Sequence, residues 1–125
     1  MDFIHTPHAP EAIGPYSQAV RVGNMLYTSG QVGIDPATQE LVPGGFEAQA
    51  QQVMKNLEAV LQAAGLKFSD VIKATIYVTD LGNFQTLNHL YGNAMGAHRP
   101  ARSTVQVSAL PAGAEVEIDL VALIS

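Results

Sequence analysis

The sequence predicts an α+β fold, in which two helices cover one face of a single sheet. Two segments have the periodicity of amphipathic helices, and three later segments alternate like strands with one apolar face and one mixed face. Because an apolar helix stripe and an apolar sheet face bury each other, a two-layer arrangement is expected. The length of 125 residues fits one domain, which we place over residues 1–125.

The first third of the chain is predicted to be rich in short strands. A proline-rich lead-in precedes a hairpin, whose strands over 19–22 and 25–30 are joined by a turn at Gly23 and Asn24. Gly30, at the end of the second strand, indicates a bulge or a place where another group approaches the backbone closely.

Two helices are predicted from apolar side chains that recur at helical spacing. The first covers residues 46–64 and stops at Gly65, a residue type common just after helices. The second covers about 83–95 and is followed by Gly96 and Pro100. The far side of the first helix is polar and is expected to face solvent: Gln49, Gln52, Lys55 and Gln62.

Three strands follow, over residues 71–79, 100–107 and 115–124. The first has a wholly apolar face, made of Ile72, Ala74, Ile76 and Val78. The last alternates in the same way, and its mixed face includes Glu117. A sheet face of mixed character, opposite the helices, is typical of a subunit interface that contains a site.

The composition excludes several functional classes. No cysteine is present, so a disulfide framework, a thiol nucleophile and a cysteine-based metal site are excluded. Six basic residues against 11 acidic ones give a net charge of −5, which argues against nucleic-acid and anionic-membrane partners. Charged residues make up 14% and hydrophobic residues 47%, so an oligomer that buries the apolar surplus is favoured over a monomer.

Targeting signals and cofactor motifs are not evident in the sequence. The N-terminus lacks the basic start and apolar run of a signal peptide, and no apolar stretch approaches a membrane span, so a cytoplasmic protein is expected. Phosphate-binding, dinucleotide-binding, zinc-protease and nucleophile-elbow motifs are missing. The four histidines are not spaced to place two on one face, so we expect no metal site.

Arg102 and Glu117 form the one constellation that could carry chemistry. We assign both to the mixed face, and the short connection between their strands predicts that these strands are antiparallel neighbours. One interpretation is a cross-strand salt bridge, which would contribute roughly 0.2–1 kcal/mol. The other is a guanidinium that binds a substrate carboxylate beside a carboxyl group that orients water. Periodicity alone does not choose between them.

Four ordered segments resemble the RidA (YjgF) family of reactive-intermediate imine/enamine deaminases over nearly the whole chain. They are Gly14-Pro15-Tyr16-Ser17-Gln18, Thr28-Ser29-Gly30-Gln31, Pro100-Ala101-Arg102-Ser103-Thr104-Val105 and Glu115-Val116-Glu117-Ile118. The resemblance implies a chorismate-mutase-like fold, with a mixed sheet of about six strands and both helices on one face. It also implies a homotrimer with active sites between subunits, and no metal or organic cofactor.

The resemblance implies specific roles for seven residues. Arg102 would hold the substrate carboxylate, and Glu117 would position the hydrolytic water and assist proton transfer. The substrate pocket would be lined by Tyr16, Ser29, Gly30, Asn88 and Thr104. The implied activity is that of a 2-iminobutanoate/2-iminopropanoate deaminase, which hydrolyses 2-aminoacrylate, 2-iminopropionate and 2-iminobutyrate to 2-oxo acids and ammonia.

Two departures from the family pattern bear on specificity. Thr104 stands where many members have cysteine, and the connection from Tyr91 to Pro100 is shorter than in archetypal bacterial members. Arg99, within that connection, is a candidate second cation. Two alternatives to the deaminase stay open: a trimer that binds small carboxylates or acts like a chaperone without catalysis, and an endoribonuclease or translation inhibitor.

Overall fold

The structure, a computed structural model, describes residues 1–125 and consists of nine strands and two α-helices. The helices are α1 (Gly45–Ala63) and α2 (Phe84–Met95). The strands are β1 (Asp2–Ile4), β2 (Ala19–Val22), β3 (Met25–Thr28), β4 (Gln31–Val32), β5 (Ile34–Asp35), β6 (Glu40–Leu41), β7 (Val71–Val78), β8 (Ala101–Gln106) and β9 (Val116–Leu123).

Seven of the strands form one mixed sheet. Its order is β1-β2-β3-β9-β7-β8, with β4 paired to the remaining part of β9, while β5 and β6 form a separate hairpin. All pairs are antiparallel except β7 and β8, which run parallel. A parallel pair needs a crossover connection, and α2 supplies it. The predicted α+β fold with a mixed sheet is confirmed.

The core lies between the sheet and the helices. It is a single cluster of 22 buried residues, to which both helices contribute. Leu57 of α1 and Leu87 of α2 are fully buried with Ile76 of β7 and Ile118 of β9. These are the apolar stripes and faces that the sequence pattern predicts. Neither α1 nor α2 is long and apolar enough to cross a membrane.

The prediction that the strands of Arg102 and Glu117 are neighbours is wrong. Strand β7 lies between β8 and β9, and it pairs with both. Arg102 is aligned with Ala74 on the core face of β7, whereas Glu117 is aligned with Tyr77 on the opposite face. The two side chains therefore leave the sheet on opposite sides, and a cross-strand salt bridge between them is excluded within one protomer.

This strand order has a physical reason. Strand β9 has a continuous buried face and suits the middle of the sheet, where core residues cover it. The equivalent face of β8 carries Arg102, Thr104 and Gln106, so β8 suits the edge, where polar groups can reach solvent. The short connection between β8 and β9 favours a hairpin of these two strands. The distribution of polar side chains instead decides the order of the strands in the sheet.

Two smaller expectations are also corrected. A bulge between Val71 and Lys73 shifts the register of β7, so Val71 is buried while Ile72 is 43% exposed. Gln49, expected in solvent, is buried because its side chain accepts a hydrogen bond from the Glu115 backbone N–H (2.8 Å) and donates to the Glu115 carboxylate (3.2 Å). The amide of Gln49 thus fastens α1 to the start of β9.

No helix packs on the sheet face that points away from α1 and α2, and other segments of the chain cover it only around Glu117. Large apolar side chains stand on it with substantial exposure, including Phe3, Val22, Tyr27 and Leu123. Glu117, Asp119 and Tyr77 belong to the same face. We call it the open face. An exposed apolar surface of this kind is typical of an interaction site.

Candidate active site in two separate clefts

Arg102 projects from β8 toward α2 and is held there by side chains of that helix. Its Nη2 donates a hydrogen bond to Oδ1 of Asn88 at 2.7 Å. Its Cζ lies 5.1 Å from the ring centroid of Tyr91 and 5.5 Å from that of Phe84, which are cation–π distances. These contacts fix the position of the guanidinium. Because no carboxylate pairs with Arg102 within the protomer, its charge is free to bind an anion.

A cleft of about 300 Å³ opens beside this guanidinium. We call it the arginine cleft, and it is lined by Asn88, Tyr91, Gly92, Arg99, Pro100 and Arg102. The Tyr91 hydroxyl is buried without a hydrogen-bond partner, and so is Oγ1 of Thr104, two residues along β8 from Arg102. Tyr91 lines the arginine cleft, whereas Thr104, predicted to line the pocket, lies outside the lining of both clefts and is aligned with the core residue Ile76 of β7. Buried hydroxyls normally have partners, so both groups are exceptions.

Glu117 lies in a second cleft, of about 360 Å³, on the other side of the sheet. Its lining includes Tyr16, Gly30, Gln31 and Glu117, and we call it the glutamate cleft. Gly30 approaches Glu117 so closely that a Cβ at that position would lie 2.7 Å from Cδ of the glutamate. The close backbone approach predicted at Gly30 is confirmed, and its partner is the candidate acid–base group itself.

The environment of Glu117 raises its pKa. The main cause is burial, which penalises the charged form, and the negative charge of Asp119 adds to it. Burial also raises the pKa of Asp119 and of Tyr77. A carboxyl group with a raised pKa in a cleft, such as that of Glu117, is a candidate group for proton transfer.

The remaining predicted residues divide between these locations. Asn88 lies in the arginine cleft, where it holds Arg102. Tyr16 lines the glutamate cleft, and its hydroxyl accepts a hydrogen bond from the Ile13 backbone N–H at 3.2 Å. Ser29 lies outside the lining of both clefts, and its hydroxyl donates to the Ser17 carbonyl oxygen at 2.5 Å. In a single protomer, Ser29 thus fastens the loop that leads to Gly30.

Some residues around the site were not singled out from the sequence. Phe84 and Tyr91, which flank the Arg102 guanidinium, were interpreted only as part of an apolar helix stripe. With Asn88 they occupy positions i, i+4 and i+7 of α2, a spacing that places all three on one face and could have revealed them. Asp119 follows Glu117 at the strand period of two, which is a similar signal.

No group of three or more histidine, aspartate or glutamate side chains is placed to hold a metal ion. The polar groups that line the clefts are two guanidinium groups on one side of the sheet, two carboxyl groups on the other, and a tyrosine and at least one side-chain amide in each. A guanidinium and a carboxyl group together suit the binding of a small carboxylic acid and the transfer of protons to or from it.

Comparison with known proteins places the chain in a family. The sequence model described as Endoribonuclease L-PSP matches residues 6–124. Protein DfrA of Myxococcus xanthus is 57% identical over 122 residues, which cover 96% of this chain and 93% of DfrA. A 2-iminobutanoate/2-iminopropanoate deaminase of Mus musculus is 48% identical over 120 residues, which cover 96% of this chain and 89% of the mouse protein.

Solved structures agree with this placement. RidA from the Antarctic bacterium Psychrobacter superposes with a TM-score of 0.96 at 48% identity, over 99% of this chain and 100% of RidA. E. coli TdcF with bound serine superposes with a TM-score of 0.94 at 41% identity, over 100% of both chains. The chain therefore belongs to the endoribonuclease L-PSP family, the RidA (YjgF) family that its sequence motifs indicated.

Proposed function

We propose that the protein hydrolyses reactive 2-imino acids and their enamine forms to 2-oxo acids and ammonia. The substrates would include 2-aminoacrylate, 2-iminopropionate and 2-iminobutyrate. The observation that carries the proposal is the Arg102 guanidinium, which Asn88 and two aromatic rings hold in place without a carboxylate partner. Mammalian relatives at 46–48% identity are named for this reaction.

In the proposed reaction, Arg102 binds the substrate carboxylate through paired N–H groups and so orients the imine carbon. Serine, the amino acid bound in TdcF, also carries a carboxylate, which supports a site for small carboxylic acids in this fold.

Glu117 orients the water that attacks the imine carbon, and it passes protons to the departing nitrogen. An enamine substrate first tautomerises to its imine. Water then adds across the C=N double bond to give a carbinolamine, with one C–O bond and one C–N single bond. Collapse of the carbinolamine forms the C=O double bond and breaks the C–N bond, and ammonia leaves with both protons of the water. The imine is electrophilic before it binds, so no covalent nucleophile is needed. Tyr16 and Gly30, which line the cleft beside Glu117, would bound the space that water and substrate occupy.

The two halves of the proposed site would come from two copies of the chain in a homotrimer. Within one protomer, Arg102 and Glu117 lie on opposite sides of the sheet and in different clefts. Glu117 belongs to the open face, whose exposed apolar residues suit contact with another copy. A neighbour that covers the open face could bring its own Arg102 to this glutamate.

Complementation between two inactive variants tests this arrangement. Arg102→Ala and Glu117→Gln should each lower kcat/KM for 2-iminobutyrate by about a hundredfold or more, because a charge-assisted contact or the water-orienting group is lost. Arg102→Lys should recover little, since an ammonium cannot reproduce the planar guanidinium. Production of 2-oxobutyrate from an imine generated in the assay measures the rate.

When the two variants are unfolded together and reassembled in equal amounts, about one quarter of the shared sites should contain both native residues. Activity should return to about that fraction of the wild-type value. Mixtures that stay inactive although mixed trimers form would exclude a site shared between copies. Full activity of Arg102→Ala alone would refute the proposed role of the arginine.

A further inference from the structure

The arginine cleft contains two cations and no acidic residue. Arg99 and Arg102 are two of the six basic residues in a chain of net charge −5, yet both line this one small cleft. No aspartate or glutamate lines it. The ion pair present in the structure, between His5 and Glu11, involves neither arginine. Within one protomer, the two positive charges share this cleft without a counter-charge. In the proposed assembly a single Glu117 from a neighbouring copy would still leave an excess of positive charge, which favours the binding of an anion.

Both guanidinium groups are held in place by neutral acceptors. Arg99 Nη1 donates to the carbonyl oxygens of Gly96 at 2.6 Å and His98 at 2.8 Å, while Arg102 donates to Asn88 at 2.7 Å. These bonds fix the positions of the arginines but leave their charges uncompensated. A fixed cation loses less conformational entropy when it binds an anion than a mobile one does.

Tyr91 is a further polar residue in the lining, beside the Arg102 guanidinium. Its side chain is only 7% exposed, and its hydroxyl has no hydrogen-bond partner. Burial raises the pKa of Tyr91, while the charges of Arg102 and Arg99 lower it, so both guanidinium groups lie near this phenol. The two guanidinium groups in this lining offer more N–H donors than one carboxylate requires.

We infer that Arg99 binds a second carboxylate, so that this protein favours 2-imino dicarboxylic acids over their monocarboxylic counterparts. This inference rests on the proposed function, and it names the substrate class of the same site. Arg102 would hold the carboxylate next to the imine, and Arg99 the carboxylate at the far end of the substrate. The hydrolysis is the one described above, and the distal carboxylate passes through it unchanged. A volume of about 300 Å³ is within the range of small-molecule sites.

A matched pair of five-carbon substrates tests the inference. 2-Iminoglutarate and 2-iminopentanoate, generated from glutamate and norvaline by amino acid oxidases, differ only in a terminal carboxylate or methyl group. The wild-type protein should prefer 2-iminoglutarate in kcat/KM. In Arg99→Gln, the ratio of the two values should fall about tenfold or more, as expected for the loss of a charge-assisted contact. Arg99→Lys should give an intermediate ratio, because it keeps the charge but not the planar group.

Arg21→Gln is the matched control, because it removes the same charge from a strand remote from the cleft, where Arg21 bonds only to the Gly23 carbonyl. It should leave the ratio at the wild-type value. A ratio that is unchanged in Arg99→Gln, in protein whose thermal unfolding matches wild type, would overturn the inference. So would an equal loss of the ratio in Arg21→Gln.

Binding of the stable products separates this inference from the proposed function. Calorimetry with 2-oxoglutarate and 2-oxopentanoate needs no turnover, and 2-oxoglutarate should bind the wild-type protein about tenfold more tightly. If neither imine is hydrolysed faster, the proposed function fails, while tighter binding of 2-oxoglutarate that Arg99→Gln abolishes would still support the second carboxylate site. Equal affinities for the two 2-oxo acids would overturn the inference even if imines are hydrolysed.

Discussion

Replacing Gly30 by alanine would drive a methyl group into the side chain of Glu117. The new Cβ would lie 2.7 Å from Cδ and 2.9 Å from Cγ of the glutamate, so Cδ must retreat by at least about 0.7 Å to reach the 3.4 Å of ordinary contact. Glu117 is half-buried and ends in a flexible carboxyl group, so we expect a stability loss near the lower end of about 1–3 kcal/mol for overpacking. A displacement of this size can lower the rate by about a hundredfold when the displaced group is catalytic.

Urea unfolding and imine-deamination kinetics, measured on the same preparation, separate the two effects of Gly30→Ala. Gly33→Ala is the matched control, because its Cβ would lie 2.7 Å from Cα of Gln49 in α1, where the backbone cannot yield easily. Gly33→Ala should lower the free energy of unfolding more than Gly30→Ala does. It should lower kcat/KM per folded molecule less than Gly30→Ala does. Wild-type kcat/KM in Gly30→Ala would refute the role assigned to the position of Glu117.

Three further predictions concern the pH dependence of activity, the pH dependence of stability, and the stability of α2. Burial and the charge of Asp119 raise the pKa of Glu117, so its ionised form, which orients water, dominates only at pH values above the usual pKa of glutamate. We therefore expect kcat/KM to rise with pH above that usual pKa. Asp119→Asn should move this rise to lower pH, because it removes one of the two causes. As the pH rises from the usual pKa of a carboxyl group through the raised pKa of Glu117, the free energy of unfolding of the wild-type protein should fall relative to that of Glu117→Gln. The reason is that the folded state holds the Glu117 proton more tightly than the unfolded state does. Denaturant titrations that show the same pH dependence for both proteins would contradict the raised pKa. Gly92→Ala should raise the free energy of unfolding by about 0.5–1 kcal/mol. The residue lies within α2, and no atom is near the methyl group that the substitution adds. A lower free energy of unfolding in urea would contradict this prediction.

Local patterns predicted much of this molecule. Both helices begin and end within a residue or two of their predicted bounds, because the apolar stripes that define them are the surfaces they bury. The close approach at Gly30 was also predictable, since a glycine at a strand end has few other uses. For the helices, the sequence signal and its physical cause lie within the same segment. For Gly30 the signal is local, but the group that approaches it, Glu117, lies on β9.

The features that sequence could not supply depend on long-range pairing. Whether β8 lies next to β7 or β9 is decided by which strand covers the core best, a competition that no single segment records. The bulge before Lys73, which exposes Ile72, likewise depends on the register of β7 against β9. The side of the sheet on which Arg102 and Glu117 emerge follows from these pairings, so the separation of the two clefts required the structure.

The placement of β7 between β8, which carries Arg102, and β9, which carries Glu117, has a consequence for activity at low protein concentration. Because Glu117 and Arg102 emerge on opposite sides of one sheet, a protomer can carry out the proposed reaction only when it is assembled with other copies of the chain. Specific activity should then decline on dilution below the dissociation constant of the assembly, and recover on concentration. The turnover rate per chain would then report the fraction of chains that are assembled.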